Sequence, residues 1–225
     1  MEKNKNPQDQ DWDAFWGRDA ARKFSQPSWS KRRLMRLLAP FANSGKKVLD
    51  AGCGSGFFSA FFCSRGMKCV SLDYSDAALQ MAREVTGGRS EIFKKDLIAL
   101  KDAREINGPF DLIFTDGLLE HFERKDQNKI VQNLRNALSE RGILVTVVPN
   151  RWSPWEIIRP LFMPGIEETP FVLKDLVALH ERNGLCVFQS GGLNTIPFIF
   201  SPDSFVGRWF GMLLFTVSKR NYEQS

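Results

Sequence analysis

Short apolar runs alternate with amphipathic stretches along most of the chain, and their spacing predicts the elements. Val48 and Leu49 centre a short buried strand from Lys46 to Ala51. A helix follows from Gly56 to Ser64, stopped by Gly66, and then a second strand from Lys68 to Asp73. That is the size of a parallel strand-helix-strand crossover. Ser75 is placed to cap a helix over Asp76 to Val85, with a third strand at Glu91 to Lys95 and a fourth at Phe110 to Thr115. Asp126 to Leu138 carries Ile130, Leu134, Ala137 and Leu138 on one helical face, and after Gly142 comes the β-branched strand Ile143 to Val148. Thr169-Pro170 predicts the start of another helix and Asn183-Gly184 its end. Strands at Leu185 to Gln189 and Trp209 to Val217 close the pattern. Upstream, a polar tail leads into two predicted helices, Trp12 to Phe24 and Ser28 to Phe41, the second with Leu34, Leu37 and Leu38 at helical spacing.

Strands and helices in strict alternation imply an α/β fold, a doubly wound and mostly parallel sheet with helices on both faces. The chain divides into an N-terminal helical extension, residues 1–44, and one domain, residues 45–225. Ligands of such sheets bind beyond the carboxyl ends of the strands, near the switch in strand order.

Composition changes this picture little. A hydrophobic fraction of 43% and a charged fraction of 25% are ordinary for a globular protein and exclude disorder. The net charge is +5, and much of the excess lies in Arg22, Lys23, Lys31, Arg32, Arg33 and Arg36. Such a helix face could meet nucleic acid or anionic lipid, but a solvated face is the commoner explanation. Cys53, Cys63, Cys69 and Cys186 form no Cys-x-x-Cys pair and have no histidine at metal spacing. Reduced thiols in a cytoplasmic protein are expected, with no metal and no disulfide framework. The N-terminal MEKNKNPQDQDWD has no apolar signal-like run, and the uncharged stretch Asn183 to Pro202 is too broken by Gly, Pro and polar residues to span a membrane.

The candidate chemistry starts in VLDAGCGSGFF, residues 48–58, where three glycines follow a strand and open a helix. Bare backbone at such a turn admits close approach by a ligand. A P-loop would need Gly-Lys-Ser/Thr, whereas Gly56 precedes Phe57-Phe58; the dinucleotide fingerprint needs G-x-G-x-x-G, whereas this run is G-x-G-x-G. Asp50, just before the first glycine, disfavours a pyrophosphate and suits a ligand bearing an ammonium group. Asp73 ends the second strand, where a carboxylate can hold ribose hydroxyls. Asp96 follows the third, placed to accept from an adenine amine, with Leu97 beside it. Cys53 is read as a small residue offering its backbone amide.

With these residues in view, the sequence resembles the class I S-adenosylmethionine-dependent methyltransferases, in particular the small-molecule group that includes the quinone-biosynthesis enzymes. The matches are VLDAGCGSG, Leu72-Asp73-Tyr74-Ser75, Lys95-Asp96-Leu97, and Phe110-Asp111-Leu112-Ile113 leading to Leu119-Glu120-His121. They lie between about Lys46 and Val148. The resemblance implies a seven-stranded Rossmann-like sheet of order 3-2-1-4-5-7-6 with the last strand antiparallel. It implies S-adenosyl-L-methionine as cofactor and S-adenosyl-L-homocysteine as product. Gly52, Cys53 and Gly54 would line the methionine end, Asp50 would hold its amine and Asp73 the ribose. Tyr74 would flank the adenine, Asp96 would bind its amino group, and Asp116 and Gly117 would border the sulfonium.

His121 falls where the acceptor pocket of such a fold opens, and is the candidate general base or acceptor contact. His180 reads as a partly exposed helix residue. Nucleic-acid amino-methyltransferases of this fold carry Asp/Asn-Pro-Pro-aromatic after the fourth strand; Thr115-Asp116-Gly117-Leu118 stands here, so nucleic acid is not the favoured partner. Acceptor specificity is expected in Trp12 to Trp29, Asn150 to Glu168 and Gly191 to Gly207. The middle segment, with Trp152, Trp155, Phe162, Met163, Arg151 and Arg159, reads as a lid over an apolar or aromatic small molecule, or as extra core. Its aromatics could also contact a membrane surface. A small-molecule methyltransferase, with oxygen as the favoured acceptor atom, is the leading expectation; a protein or RNA methyltransferase and a catalytically silent cofactor-binding protein are the alternatives.

Overall fold

The computed structural model describes residues 11–162, 168–196 and 201–221. Its strands are β1 (Lys47–Ala51), β2 (Lys68–Asp73), β3 (Glu91–Lys94), β4 (Phe110–Asp116), β5 (Leu138–Pro149), β6 (Leu185–Leu193) and β7 (Leu213–Arg220). They form one sheet in the order β3-β2-β1-β4-β5-β7-β6, with β7 antiparallel to both β5 and β6 and the other pairs parallel. This is the expected order. The strand order reverses at β1, which pairs with β2 on one side and β4 on the other, so the loops after these strands gather at one crevice.

Both faces of the sheet are buried because successive residues of its central strands are apolar. Leu49 and Ile113 face a core with Leu72, Ile130, Leu134 and Leu176. Their neighbours Val48, Leu112 and Phe114 face the opposite core, with Leu34, Leu38, Phe58 and Phe62. The covering helices are α1 (Trp12–Trp16), α2 (Trp29–Leu38), α3 (Phe57–Ser64), α4 (Asp76–Thr86), α5 (Arg124–Ala137), α6 (Trp155–Phe162), α7 (Leu173–Glu181) and α8 (Asp203–Phe210). Ser75 caps α4 as expected, its hydroxyl accepting the Ala78 N–H at 3.2 Å.

The structure departs from the pattern reading at several places. Trp12 to Phe24 is not one helix: Gly17 closes α1, and a 3-10 helix, Asp19–Ser25, follows. α7 begins at Leu173, not at Thr169-Pro170, because Phe171 is held in a bridge to Asn150 and its N–H donates to the Pro149 carbonyl. Trp209 and Phe210 end α8 and do not belong to the last strand. The segment from Asn150 to Glu168 contains α6; Met163 and the Phe162 side chain fall outside the described residues. His180 is fully buried, with Nδ1 2.9 Å from the Ser218 hydroxyl and Nε2 3.2 Å from that of Thr216. Burial lowers its pKa to about 3, so it is neutral.

In the basic N-terminal stretch Arg22, Lys23, Arg32 and Arg36 are exposed as expected, but Arg33 and Lys31 are not. Arg33 is 9% exposed; it donates to Asn194 Oδ1 at 2.8 Å and to the Ile196 carbonyl at 3.0 Å, and pairs with Asp203 at 3.6 Å. Lys31 donates to the carbonyls of Phe24 and Gln26 and lies 4.3 Å from the Phe57 ring centroid. The four cysteines are unpaired, with Cys53 and Cys69 buried.

Candidate active site

β1 leads into the glycine loop and then into α3. Gly52, Gly54 and Gly56 all take positive φ, of 75°, 47° and 72°. At Gly54 a Cβ would fall 2.6 Å from the Trp16 ring, and at Gly56 2.5 Å from the Ala82 Cα, so close packing requires both glycines. Four of the loop amides are already engaged within the protein. Gly52 and Cys53 N–H donate to the Leu72 carbonyl, Gly54 N–H to Asp73, and Gly56 N–H to the Cys53 carbonyl. These four amides are not open to a ligand, and the Cys53 N–H, expected to be offered to one, is instead held by Leu72.

Around this loop the strand ends supply carboxylates. Asp50 is 3% exposed, and Oδ2 accepts the Ser59 hydroxyl at 2.6 Å; Ser59 in turn accepts from Ser71 at 2.7 Å, and Ser71 lies 2.6 Å from Ser90. Burial pushes the Asp50 carboxyl up to about 7 in spite of the Ser59 bond. Asp73 accepts the Gly54 N–H on Oδ2 at 2.9 Å and the Ser75 N–H on Oδ1 at 3.0 Å, and burial raises its pKa. Tyr74 follows, 64% exposed. Beyond β3, Asp96 Oδ1 accepts the Ile98 N–H at 2.8 Å, and Leu97 is buried, its carbonyl held by Asn133 at 2.7 Å. Asp116 ends β4, and burial raises it to about 6 against the attraction of Lys31. Gly117 follows with φ of 70°, its N–H donating to the Val147 carbonyl at 3.1 Å.

His121 lies in a buried 3-10 turn, Leu119–His121, with its ring centroid 4.8 Å from that of Trp12 and Nε2 4.0 Å from Glu120 Oε1. Burial drives the Glu120 pKa well above the ordinary carboxylate range, and Glu168, Asp116 and Glu156 add to the rise. Trp155 and Arg159 of α6 line this side of the cavity, and Arg159 Nε sits 2.9 Å from Glu168 Oε1.

The structure brings the candidate cofactor residues and His121 to one cavity of about 480 Å³, lined by Asp50, Gly52, Cys53, Gly54, Asp73, Tyr74, Asp96, Leu97, Asp116, Gly117 and His121, whereas Arg151 and Trp152 of the expected lid segment are exposed and do not line it. Trp16 and Glu168 also lie on its wall, inside the segments Trp12 to Trp29 and Asn150 to Glu168 expected to carry acceptor specificity though neither residue is singled out there, and so does Lys31, which reads from sequence only as part of a basic run. Glu120 has no role assigned from sequence, although the residue stands beside His121. The extension closes over the cavity from α1, where Asp13 Oδ1 accepts the Ser75 hydroxyl at 2.6 Å and the Ala77 N–H at 3.1 Å. The Ser55 hydroxyl donates to the Phe24 carbonyl at 2.8 Å, tying the extension to the glycine loop as well.

Residues 21–196 match the family model described as a methyltransferase domain. The chain is similar to a tRNA U34 carboxymethyltransferase of Aeromonas salmonicida, 34% identical over 123 residues that cover 52% of this chain and 35% of that one. It is also similar to a ubiquinone biosynthesis O-methyltransferase of Pseudomonas aeruginosa, 35% identical over 80 residues, or 35% of this chain and 34% of that one. These matches span about a third of the length of the two curated relatives. In fold it is similar to magnesium protoporphyrin IX methyltransferase from Synechocystis, solved with bound S-adenosylhomocysteine, at a TM-score of 0.63 and 15% identity, covering 90% of this chain and 84% of that one. With a family match over most of its length and the strand order and cavity just described, the chain belongs to the methyltransferase-domain family, among the class I S-adenosylmethionine-dependent methyltransferases.

Proposed function

We propose that this chain transfers a methyl group from S-adenosylmethionine to a small organic acceptor, with oxygen as the favoured acceptor atom. The observation that carries the reading is the succession of carboxylates at adjoining strand ends, Asp50, Asp73, Asp96 and Asp116, on one cavity wall that continues to His121. The donor set fits the cofactor. Asp50 suits the ammonium, Asp73 the ribose hydroxyls, and Asp96 with Leu97 the adenine edge, while exposed Tyr74 can cover its face. Lys31 adds a cation for the methionine carboxylate; its ammonium has a third donor beyond the two carbonyls it already meets.

When bound, the cofactor supplies a methyl group activated on a sulfonium, so the protein is left to orient two reactants and exclude water. Orientation of this kind contributes up to about 7 to 11 kcal/mol in intramolecular analogues. Trp12, Phe15, Trp16 and Trp155 wall the cavity and keep water out. His121 stands at the acceptor side, where an imidazole can contact the acceptor and take up a hydroxyl proton. The extension acts as a lid on the 45–225 domain through Asp13 and Phe24. Among the described residues no helix is long and apolar enough to cross a membrane.

Calorimetry with S-adenosylmethionine tests the cofactor, and an Asp73→Ala variant of unchanged affinity would sink its placement. Turnover assays on phenolic, carboxylate and amine panels then test the acceptor. Transfer confined to RNA, with steep salt dependence, would replace the small-molecule reading by the macromolecular one. Tight cofactor binding with no transfer to any of these would support the silent binding protein.

A further inference from the structure

A line of buried polar side chains starts at Asp50 on the cavity wall and continues behind it. Ser59 on α3, Ser71 on β2 and Ser90 just before β3 do not line the cavity. The Ser59 hydroxyl donates to Asp50 Oδ2 at 2.6 Å, and the Ser71 hydroxyl donates to Ser59 Oγ at 2.7 Å. Ser90 Oγ lies 2.6 Å from Ser71 Oγ and 3.1 Å from the Cys69 carbonyl. Ser59 and Ser71 are fully buried, and Ser90 is 6% exposed. Buried hydroxyls are costly unless they are bonded, and these three are bonded in series to a carboxylate that faces the ligand site.

Each hydroxyl has one proton to give and can also accept, so the line has two complete arrangements. With Asp50 ionised, Ser90 donates to Ser71, Ser71 to Ser59, and Ser59 to the carboxylate. With Asp50 protonated every donor turns round: the acid donates to Ser59, Ser59 to Ser71, Ser71 to Ser90, and Ser90 to the Cys69 carbonyl. Neither arrangement leaves a hydroxyl proton without an acceptor. We propose that Ser59 and Ser71, backed by Ser90, are positioning residues for the cofactor, which act through Asp50 by turning their donors toward it when it meets the ammonium. The inference rests on the reading of Asp50 as the ammonium contact. Burial raises the Asp50 carboxyl, the Ser59 hydroxyl and N–H oppose that rise, and the charges of Asp116 on β4 and Asp73 on β2 add to it. The thiols of Cys53, Cys63 and Cys69 also feel the Asp50 charge, while Lys31 of α2 acts on Asp116.

The ionised carboxylate keeps its Ser59 donor whether or not the cofactor is present, so loss of that donor weakens binding only where Asp50 must first give up a proton. S-adenosylhomocysteine is the probe, because it carries the same ammonium without the sulfonium, and calorimetry on the full chain at pH 6 and pH 8.5 is the measurement. Ser59→Ala should bind about tenfold more weakly than wild type at pH 6, as a shift of about one pH unit requires, and within about twofold of it at pH 8.5. Ser71→Ala, although remote from the cavity, should move the profile the same way by less. An equal loss at both pH values marks the serines as packing alone and overturns the proposal, as does no loss at either. If Ser59→Ala does not fold, Ser71→Ala and Ser90→Ala carry the same comparison. Wild type separates the two ideas: pH-dependent binding that the variants follow unchanged removes the serine line alone, and binding without proton release at either pH removes the ammonium contact beneath it.

Discussion

Asp73 fastens the glycine loop to the second strand, its Oδ2 accepting the Gly54 N–H at 2.9 Å while Oδ1 takes the N–H of Ser75 at 3.0 Å. The carboxylate that is proposed to hold the ribose therefore also sets the shape of the loop that is proposed to face the methionine end. Removal of a charge-assisted hydrogen bond costs about 1.5 to 3 kcal/mol. Asp73→Ala should thus weaken S-adenosylmethionine binding by about ten- to a hundredfold from that one contact, with more lost as the loop relaxes. Asp73→Asn, which keeps an acceptor for one amide, should fall between the two. Equal affinities by calorimetry for wild type and both variants would show that Asp73 is only a structural clamp.

The same cavity is covered by α1, and the cover is latched by Asp13. Its Oδ1 accepts from Ser75 and Ala77 at the start of α4, the helix that follows Asp73. The two bonds hold the Asp13 carboxyl below its ordinary pKa. Asp13→Ala should free the extension while leaving the carboxylates of the strand ends in place. Cofactor should then leave several times faster in stopped-flow displacement, and trypsin should cut sooner at Arg18, Arg22 or Lys23. A release rate equal to that of wild type would mean that the extension does not gate the cavity.

Much of the site could be read from sequence because its signals are local. Asp50 and Asp73 each stand at the end of an apolar run and the glycines interrupt a strand-to-helix junction, so their placement follows from the local pattern, while Asp116 and Gly117 are legible only through the family resemblance. What escaped depends on partners far along the chain. The burial of His180 is decided by Ser218 and Thr216 on β7, and that of Arg33 by Asn194 and Asp203. Lys31 lies in a run of basic residues and gives no hint that Phe24 and Phe57 enclose it. Trp209 and Phe210 read from sequence as part of the last strand because the apolar run continues past Gly211, where helix and strand cannot be told apart by period. Glu168 follows another glutamate in a connection, and only the fold brings it beside Glu120.

The buried Asp50 carboxyl makes stability depend on pH in a defined direction. Its pKa rises from the model-peptide value of 3.8 to about 7 on folding, chiefly through burial. Between those values the folded chain binds the extra proton. The contribution of this group to stability is therefore complete below about pH 4 and is lost as pH rises through 7. Asp50→Asn should gain on wild type as the pH of a urea melt goes from 5 to 8. An ammonium group against Asp50 favours the ionised form, so S-adenosylmethionine binding near pH 6.5 should release a proton, seen as a dependence of the calorimetric heat on buffer ionisation enthalpy. A flat stability difference, together with heats independent of buffer, would contradict both the burial effect and the ammonium contact.

Arg33 separates the two readings of the basic N-terminal stretch. As a nucleic-acid contact it would be exposed and dispensable for folding, but its side chain is 9% exposed and that of its partner Asp203 13%. Its guanidinium also donates to Asn194 and to the Ile196 carbonyl, tying α2 to the chain that runs between β6 and α8. Removing one partner of a buried ion pair costs about 3 to 5 kcal/mol, because the remaining charge stays without compensation. Arg33→Ala should lower stability by a few kcal/mol on that scale, and Arg33→Lys by less, because a lysine keeps the charge but not the fork that reaches two acceptors at once. Exposed Arg36→Ala, from the same helix, should leave the melt nearly unchanged. If Arg33→Ala instead melted like wild type and lost affinity for RNA, the buried network would be dispensable and the basic helix would be a nucleic-acid surface after all.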